Sequence, residues 1–295
     1  MKHKLAIVIP YFGAWPVWMN FFIESCRWNR DIDWLLFSDN NPPENRCSNV
    51  RHVRLSFADY VSLISEALDI RFAPRDPYKL CDVRPALPFV HRSLLGSYDF
   101  VGFGDLDVIY GDLRSFYDDA ALDSYDLLST HANRISGHLC LMRNDGRMIG
   151  AFKQIRGWRE LFEQDQHAGT DERDFYNVFR GRTAKLASWL GRDQPRCLFR
   201  EAYSTPAPRA DMRWYWKHGR LTNEFYPHHD FMYLHFMNWH SNRWYAGQPG
   251  CSPDLPPPWS NLSGLVQIDW KAAHKAGFSI SPAGIRPLES QAVAC

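Results

Sequence analysis

Five apolar residues in a row, Leu5-Ala-Ile-Val-Ile9, stop at Pro10-Tyr-Phe-Gly13. A run without polar alternation suits a strand covered on both faces, and the Pro/Gly segment marks the loop at its end. The pattern then repeats along the chain. Residues 15–28 read as a helix with Pro16 tolerated in its first turn. Residues 34–37 read as a second strand ending at Ser38-Asp39-Asn40, and 50–55 as a third. Residues 57–68 read as helix, and 78–95 as largely helical with interruptions near Pro85 and Pro88. Residues 100–103 form a further buried strand, loosened at its end by Gly102 and Gly104. Strands alternating with helices imply a doubly wound α/β sheet. Ligands of such sheets bind at the carboxyl ends of strands, where Pro10-Tyr11, Asp39 and Asp105/Asp107 fall.

Regularity then declines. Residues 125–129 and 136–142 read as strands, the second approached by a tight turn at Gly137, and 150–164 and 175–180 read as helices. Beyond about Lys185 aromatic residues and histidines take over, and five of the 12 His lie between His218 and His240. Residues 253–259 carry four Pro and read as irregular. There is no clear linker, so the expectation is a main domain over 1–245 with an aromatic-rich, irregular extension over 246–295 packed on it, ending in a loose tail.

Asp105-Leu-Asp107 carries the chemistry. Two carboxylates one residue apart after a buried strand converge on a hard cation if the backbone turns there. Such a cation neutralises a departing diphosphate. The chain holds a second copy, Asp31-Ile-Asp33, but that one sits in a polar connection before a strand, where a solvated turn is the simpler reading. The net charge of +1 argues against bulk binding to nucleic acid. The seven Cys form no Cys-x-x-Cys pair, which fits reduced thiols in a cytosolic protein rather than a zinc ribbon. The first apolar run is too short for a signal peptide, and no stretch approaches the ~20 apolar residues of a membrane span. A cytoplasmic protein is expected, with peripheral contact at the inner face of the membrane left open. Aromatic residues make up 15%, with 12 Trp, which suits either a large aromatic core or stacking on sugar rings.

Taken together, the layout resembles bacterial glycosyltransferases of the GT-A fold, and more closely proteins of the DUF6625 type. Tyr78-Lys-Leu-Cys-Asp-Val-Arg-Pro85 is similar to the Tyr-Lys-Leu-Cys-Asp-x-Lys-Pro segment of that group, and 99–113 to its Asp-x-Asp segment. Leu234-His-Phe236 with Arg243-Trp244 resembles the late His-Phe…Lys-Pro-Trp segment of family 8 glycosyltransferases, though no Pro precedes Trp244 and the spacing is one residue longer. The likeness runs from residue 4 to about 245.

The resemblance implies a Rossmann-like mixed sheet flanked by helices and transfer of a sugar from a nucleotide-sugar, UDP-linked, to a hydroxyl of a glycan or lipid-linked acceptor. Bacterial surface polysaccharide synthesis would be the setting. Asp105, Asp107 and His235 would hold Mn²⁺ or Mg²⁺, and Pro10, Tyr11 and Phe12 would line the nucleotide pocket. Asp39 would bind base or ribose. Lys79 would approach the phosphates, with Asp82 on the same face and Arg243 as a second candidate cation. Gly137 and His138 resemble the small-residue turn where sugar or acceptor sits. An inverting enzyme also needs a carboxylate base, and Asp171 and Asp174 are the candidates; a retaining enzyme would use them differently.

Two other readings compete. A haloacid-dehalogenase-type phosphatase also uses Asp-x-Asp, but on the first strand of its fold, whereas three strands precede this copy. A non-catalytic glycan-binding protein would stack sugars on Trp214, Trp216, Trp239, Trp244 and Trp259. Residues 209–220, rich in Trp and Arg, would face a membrane or belong to an aromatic core.

Overall fold

The computed structural model describes residues 2–182, 189–191, 193–202, 204–205, 212–241 and 256–288. Strand β1 (Leu5–Pro10) lies in parallel register between β2 (Ile32–Ser38) and β4 (Phe100–Gly104). Its alternate side chains enter two different cores: Ala6 and Val8 one, Leu5, Ile7 and Ile9 the other. That double coverage is why the run shows no polar alternation. Each of the four larger side chains contributes about 1.5–3 kcal/mol by leaving water.

The remaining strands of the sheet are β3 (Val50–Arg54), β6 (Leu127–Ser129), β7 (Leu139–Arg143) and β8 (Cys197–Phe199). The seven-stranded order is β3-β2-β1-β4-β7-β6-β8. Strand β7 runs antiparallel to both β4 and β6, and the other pairings are parallel. Helices flank the sheet, α1 (Met19–Arg27) supplying the core on one face and α2 (Phe57–Leu68) the core on the other. This is the mixed, helix-flanked, Rossmann-like architecture expected of a GT-A sheet.

Helix α2 spans the expected residues because both ends are marked. Ser56 Oγ accepts from the Asp59 amide at 3.1 Å, and Asp69 closes the helix in the left-handed region at φ 52°. Helix α1 starts four residues later than expected, at Met19. Residues 14–17 instead form the loop beyond β1, where Trp15 Nε1 donates to the Asn41 carbonyl at 2.8 Å. The stretch 78–95 is not one interrupted helix but short turns, Pro77–Cys81, Arg84–Ala86, Leu87–Val90 and Arg92–Leu95. Its prolines each lack an amide donor, so intrahelical bonding is cut repeatedly. The stretch 150–164 breaks likewise before Gly157, which has φ +69°.

The region read as irregular contains a regular sheet. Strands β9 (Trp214–Lys217), β10 (Arg220–Asn223), β12 (Phe278–Ser281) and β13 (Gly284–Pro287) pair antiparallel in the order β10-β9-β12-β13. Two further strands, β5 (Val108–Tyr110) and β11 (Tyr233–His235), pair by themselves. Trp214 and Trp216 point inward from β9 while Lys217 is exposed, and they join Trp18, Trp239 and Trp259 in a third core. Much of the aromatic excess is therefore core: Trp214, Trp216, Trp239 and Trp259 are at most 2% exposed, so none of these four is a platform for a sugar ring. The described part of 209–220 is accordingly β-sheet with its tryptophans buried, and Arg243 and Trp244 lie outside the described residues. No helix among the described residues is long and apolar enough to cross a membrane. Asp31 and Asp33 lie at the start of β2, at the opposite end of the sheet from Asp105, and Asp33 accepts a hydrogen bond from the Tyr98 hydroxyl.

Gly102 shows how closely the central strands meet, since a Cβ there would lie 2.0 Å from the Cys140 carbonyl oxygen of β7. At Gly104 the nearest atom would be 3.1 Å away. Gly102→Ala is expected to lower unfolding free energy by about 2–3 kcal/mol and Gly104→Ala by distinctly less, as read by urea denaturation.

Candidate metal and nucleotide site

The site forms where β4 ends. Leu106 is buried, its carbonyl accepting from Trp18 Nε1 at 3.0 Å, and Asp105 and Asp107 on either side of it line a cavity. Strand β5 follows at once and pairs with β11 in a register that sets His235 beside Val108. The Phe236 amide then donates to the Asp107 carbonyl at 3.0 Å. A histidine distant in sequence thus reaches the acidic pair through a two-strand ladder.

Ligand-capable atoms of Asp105, Asp107 and His235 all lie within 4.8 Å of one another. His235 Nε2 is 3.6 Å from Asp107 Oδ1, and its Nδ1 is 3.4 Å from Thr205 Oγ1. The ring of His138 stacks on it at 3.8 Å and 26°. His138 is itself hydrogen-bonded with Ser136 Oγ at 3.0 Å and the Tyr233 hydroxyl at 2.7 Å. Two carboxylates and one imidazole nitrogen, with the imidazole oriented from behind, suit a divalent cation such as Mn²⁺ or Mg²⁺.

Two residues not singled out from sequence complete the charge pattern. The imidazole of His240 donates from Nε2 to Asp107 Oδ2 at 2.9 Å. The guanidinium of Arg84 bridges two carboxylates, donating through Nη2 to Asp105 and through Nη1 to Asp171 at 3.1 Å. Gly137 makes room for this bridge: a Cβ there would fall 2.7 Å from Arg84 Nη1 and 2.9 Å from Asp171 Oδ2. Arg84 stands in the Tyr78–Pro85 segment already noted, at the position of that segment's second cation. His240 had no spacing to mark it, because only the short turn Met237–His240 folds it back.

The cavity has a volume of about 500 Å³. Its lining includes Pro10, Tyr11 and Phe12, and also Gly137, His138 and Asp171. Tyr11 stacks on Trp15 with ring centroids 5.5 Å apart. Asp39 is not in the lining; it lies exposed at the end of β2, accepting from the Gly13 amide at 3.3 Å. Asp174 also lies outside the lining, partly buried.

Lys79 and Asp82 do something other than meet phosphates. The Lys79 side chain is 1% exposed, and its ammonium donates to Asp82 Oδ2 at 2.8 Å and to the carbonyls of Leu161 and Gln166, both at 2.7 Å. An ammonium has three protons, so all are used. Asp82 in turn accepts from the amides of Ala168 at 2.9 Å and Thr170 at 3.0 Å. The buried pair fixes the loop that presents Asp171, and among the described Lys and Arg residues the one lining the cavity is Arg84.

The charges differ in state. Burial pushes the Asp171 carboxyl up to about 7, with the guanidinium of Arg84 opposing and Glu172 adding to the rise. Burial likewise raises Asp105, against the attraction of Arg84. Asp107 goes the other way: burial acts to raise it, but His235 and His240 outweigh burial and hold it well below the usual carboxylate range. Burial, with His235 nearby, keeps His138 neutral.

The sequence model of DUF6625, described as a family of unknown function, matches residues 7–247. A search of curated protein sequences found no significant match. Among solved structures, the chain is similar to the galactosyltransferase LgtC in complex with donor and acceptor sugar analogs, at 13% identity and TM-score 0.42, covering 90% of this chain and 97% of that one. It is similar to mouse xyloside xylosyltransferase 1 in its apo form, at 9% identity and TM-score 0.40, covering 79% and 97%. It is also similar to the glycosyltransferase GlyE of Streptococcus pneumoniae TIGR4, at 14% identity and TM-score 0.34, covering 67% and 45%.

The Lys79–Asp82 pair generates a stability prediction. The hydrogen bonds of His167, Lys79 and the Thr170 and Ala168 amides overcome burial and hold Asp82 below its ordinary value. Its stabilisation is therefore present above the unfolded value of about 3.9 and lost as pH falls below that. Asp82→Asn is expected to cost about 3–5 kcal/mol at neutral pH and to flatten the acid limb of stability below about pH 4. Denaturation at a series of pH values reads both.

Proposed function

The chain belongs to DUF6625, a family of unknown function, and we propose that it is a metal-dependent glycosyltransferase of the GT-A fold that moves a sugar from a UDP-sugar to a hydroxyl of a glycan or lipid-linked acceptor. The observation that carries this reading is the convergence of Asp105, Asp107 and His235 on one cavity beside Pro10–Phe12, at the carboxyl ends of β1 and β4. A divalent cation bound there supplies positive charge to a departing nucleoside diphosphate.

The remaining chemistry belongs to the protein's own residues. Pro10, Tyr11 and Phe12 form the wall for the nucleotide, and the Tyr11–Trp15 stack holds that wall rigid. Arg84 adds a fixed positive charge on the far side of Asp105. Asp171, deep in the cavity and shifted toward neutrality, accepts a hydrogen bond from a sugar hydroxyl and, ionised, takes a proton from it. Gly137 and His138 line the part of the cavity assigned to the transferred sugar or the acceptor. Surface polysaccharide synthesis on the cytoplasmic side of a bacterial membrane fits this substrate class. The glycan-binding alternative loses its main support, because the described tryptophans it needs are in the core.

Two outcomes test this reading. UDP with MnCl₂ is expected to raise the melting temperature, and Asp105→Asn or Asp107→Asn to abolish the rise; no stabilisation of the wild type by UDP or any common nucleotide with Mn²⁺ contradicts it. Once a screen for metal-dependent cleavage of nucleotide-sugars has identified the donor, Asp171→Asn is expected to lower kcat by about 10²–10⁴-fold. The wild-type rate should rise with pH through about 7 as Asp171 loses its proton, and the variant's residual rate should not.

A further inference from the structure

We infer that Arg84 is an internal counter-ion that competes with the metal for Asp105, so that cation binding is strong only when a nucleotide diphosphate binds with it. This rests on the cation site proposed above and adds an order of assembly to it.

The geometry is specific. Arg84 Nη2 donates to Asp105, one of the three ligand-capable groups, while Nη1 donates to Asp171 at 3.1 Å. The side chains of Arg84, Asp105 and Asp171 are 15%, 25% and 4% exposed, so the bridge is partly shielded from water, most at its Asp171 end. A planar fork suits two carboxylates on either side of it, where a compact ammonium reaches one at a time. The turn at Gly137 leaves room for the bridge and for nothing larger than a hydrogen.

The guanidinium engages Oδ1 of Asp105, which leaves Oδ2 to a cation but lowers the negative charge the carboxylate can offer it. A divalent ion entering alone must either displace that charged hydrogen bond or take Oδ2 close to a positive group, and repulsion between like charges in a partly shielded pocket is substantial. A diphosphate changes both terms. Its oxygens offer the guanidinium an alternative partner of matching geometry, and its negative charge offsets the sum of cation and Arg84. Asp171 keeps its hold on Nη1, so Arg84 needs to give up only one of its two contacts. Cation and nucleotide then favour each other reciprocally.

The experiment measures Mn²⁺ affinity by the electron paramagnetic resonance signal of the free ion, with and without UDP. Wild type, Arg84→Gln, Arg84→Lys and Asp107→Asn are compared. Wild type is expected to bind Mn²⁺ weakly alone and more tightly with UDP. Arg84→Gln should bind Mn²⁺ alone at least about five-fold more tightly than wild type, with a smaller gain from UDP. Arg84→Lys keeps the charge but cannot hold both carboxylates, and should fall between the two. A gain in affinity cannot arise from misfolding, and Arg84→Lys, checked by its melting curve, keeps the test open if Arg84→Gln does not fold. Asp107-dependent uptake that is no tighter in either Arg84 variant than in wild type overturns the counter-ion role and leaves the metal site standing. Absence of Asp107-dependent uptake in the wild type with UDP overturns the metal site itself.

Discussion

Two carboxylates held at the mouth of a buried strand must be compensated, and the surroundings of Asp105 and Asp107 are organised by that requirement. Charge placed in a poorly hydrated pocket is costly unless paired. Asp105 is met by Arg84, and Asp107 by His235 and His240. Each partner comes from a different part of the chain: a short proline-rich turn, a late strand, and the turn after it. The local fold around the cavity is the set of connections that delivers these groups.

Those connections have their own supports. The loop carrying Asp171 is fixed from beneath by Lys79 and Asp82, which spend their hydrogen-bonding capacity on its backbone. The β5–β11 ladder that carries His235 rests on the tryptophan core. Trp216 Nε1 donates to the Tyr110 carbonyl at 2.9 Å, and Trp18 Nε1 donates to that of Leu106. The aromatic content thus serves the site at one remove, by anchoring the backbone on both sides of Asp107. The sheet of β9, β10, β12 and β13 is part of that anchor, because Phe278, Ile280 and Ile285 pack in the same core as Ile109 and Leu234.

Much of this was legible in the residues. Continuous apolar runs identified β1 and β4 because both of their faces are covered. Asp105, Asp107 and His235 were named from sequence, and the structure brings them together. Lys79 and Arg84 are not distinguished by sequence alone. Both are cations in one segment, and nothing in their spacing says which is buried, since the chain there follows short turns without helical periodicity. Asp171 and Asp174 sit in one acidic cluster, yet only Asp171 lines the cavity. The aromatic sheet was missed because its strands are four residues long. Its alternation, Trp214 in and Lys217 out, was present but too brief to stand out.

The central claim is that Asp105, Asp107 and His235 act as one cation site serving a nucleotide diphosphate. Pulsed electron paramagnetic resonance of Mn²⁺ added to the protein with UDP addresses it most directly, because it reports the nuclei next to the ion. The account requires coupling to one imidazole nitrogen that disappears in His235→Gln, together with coupling to phosphorus. A spectrum of hydrated Mn²⁺ with neither coupling, unchanged by Asp107→Asn, would contradict it.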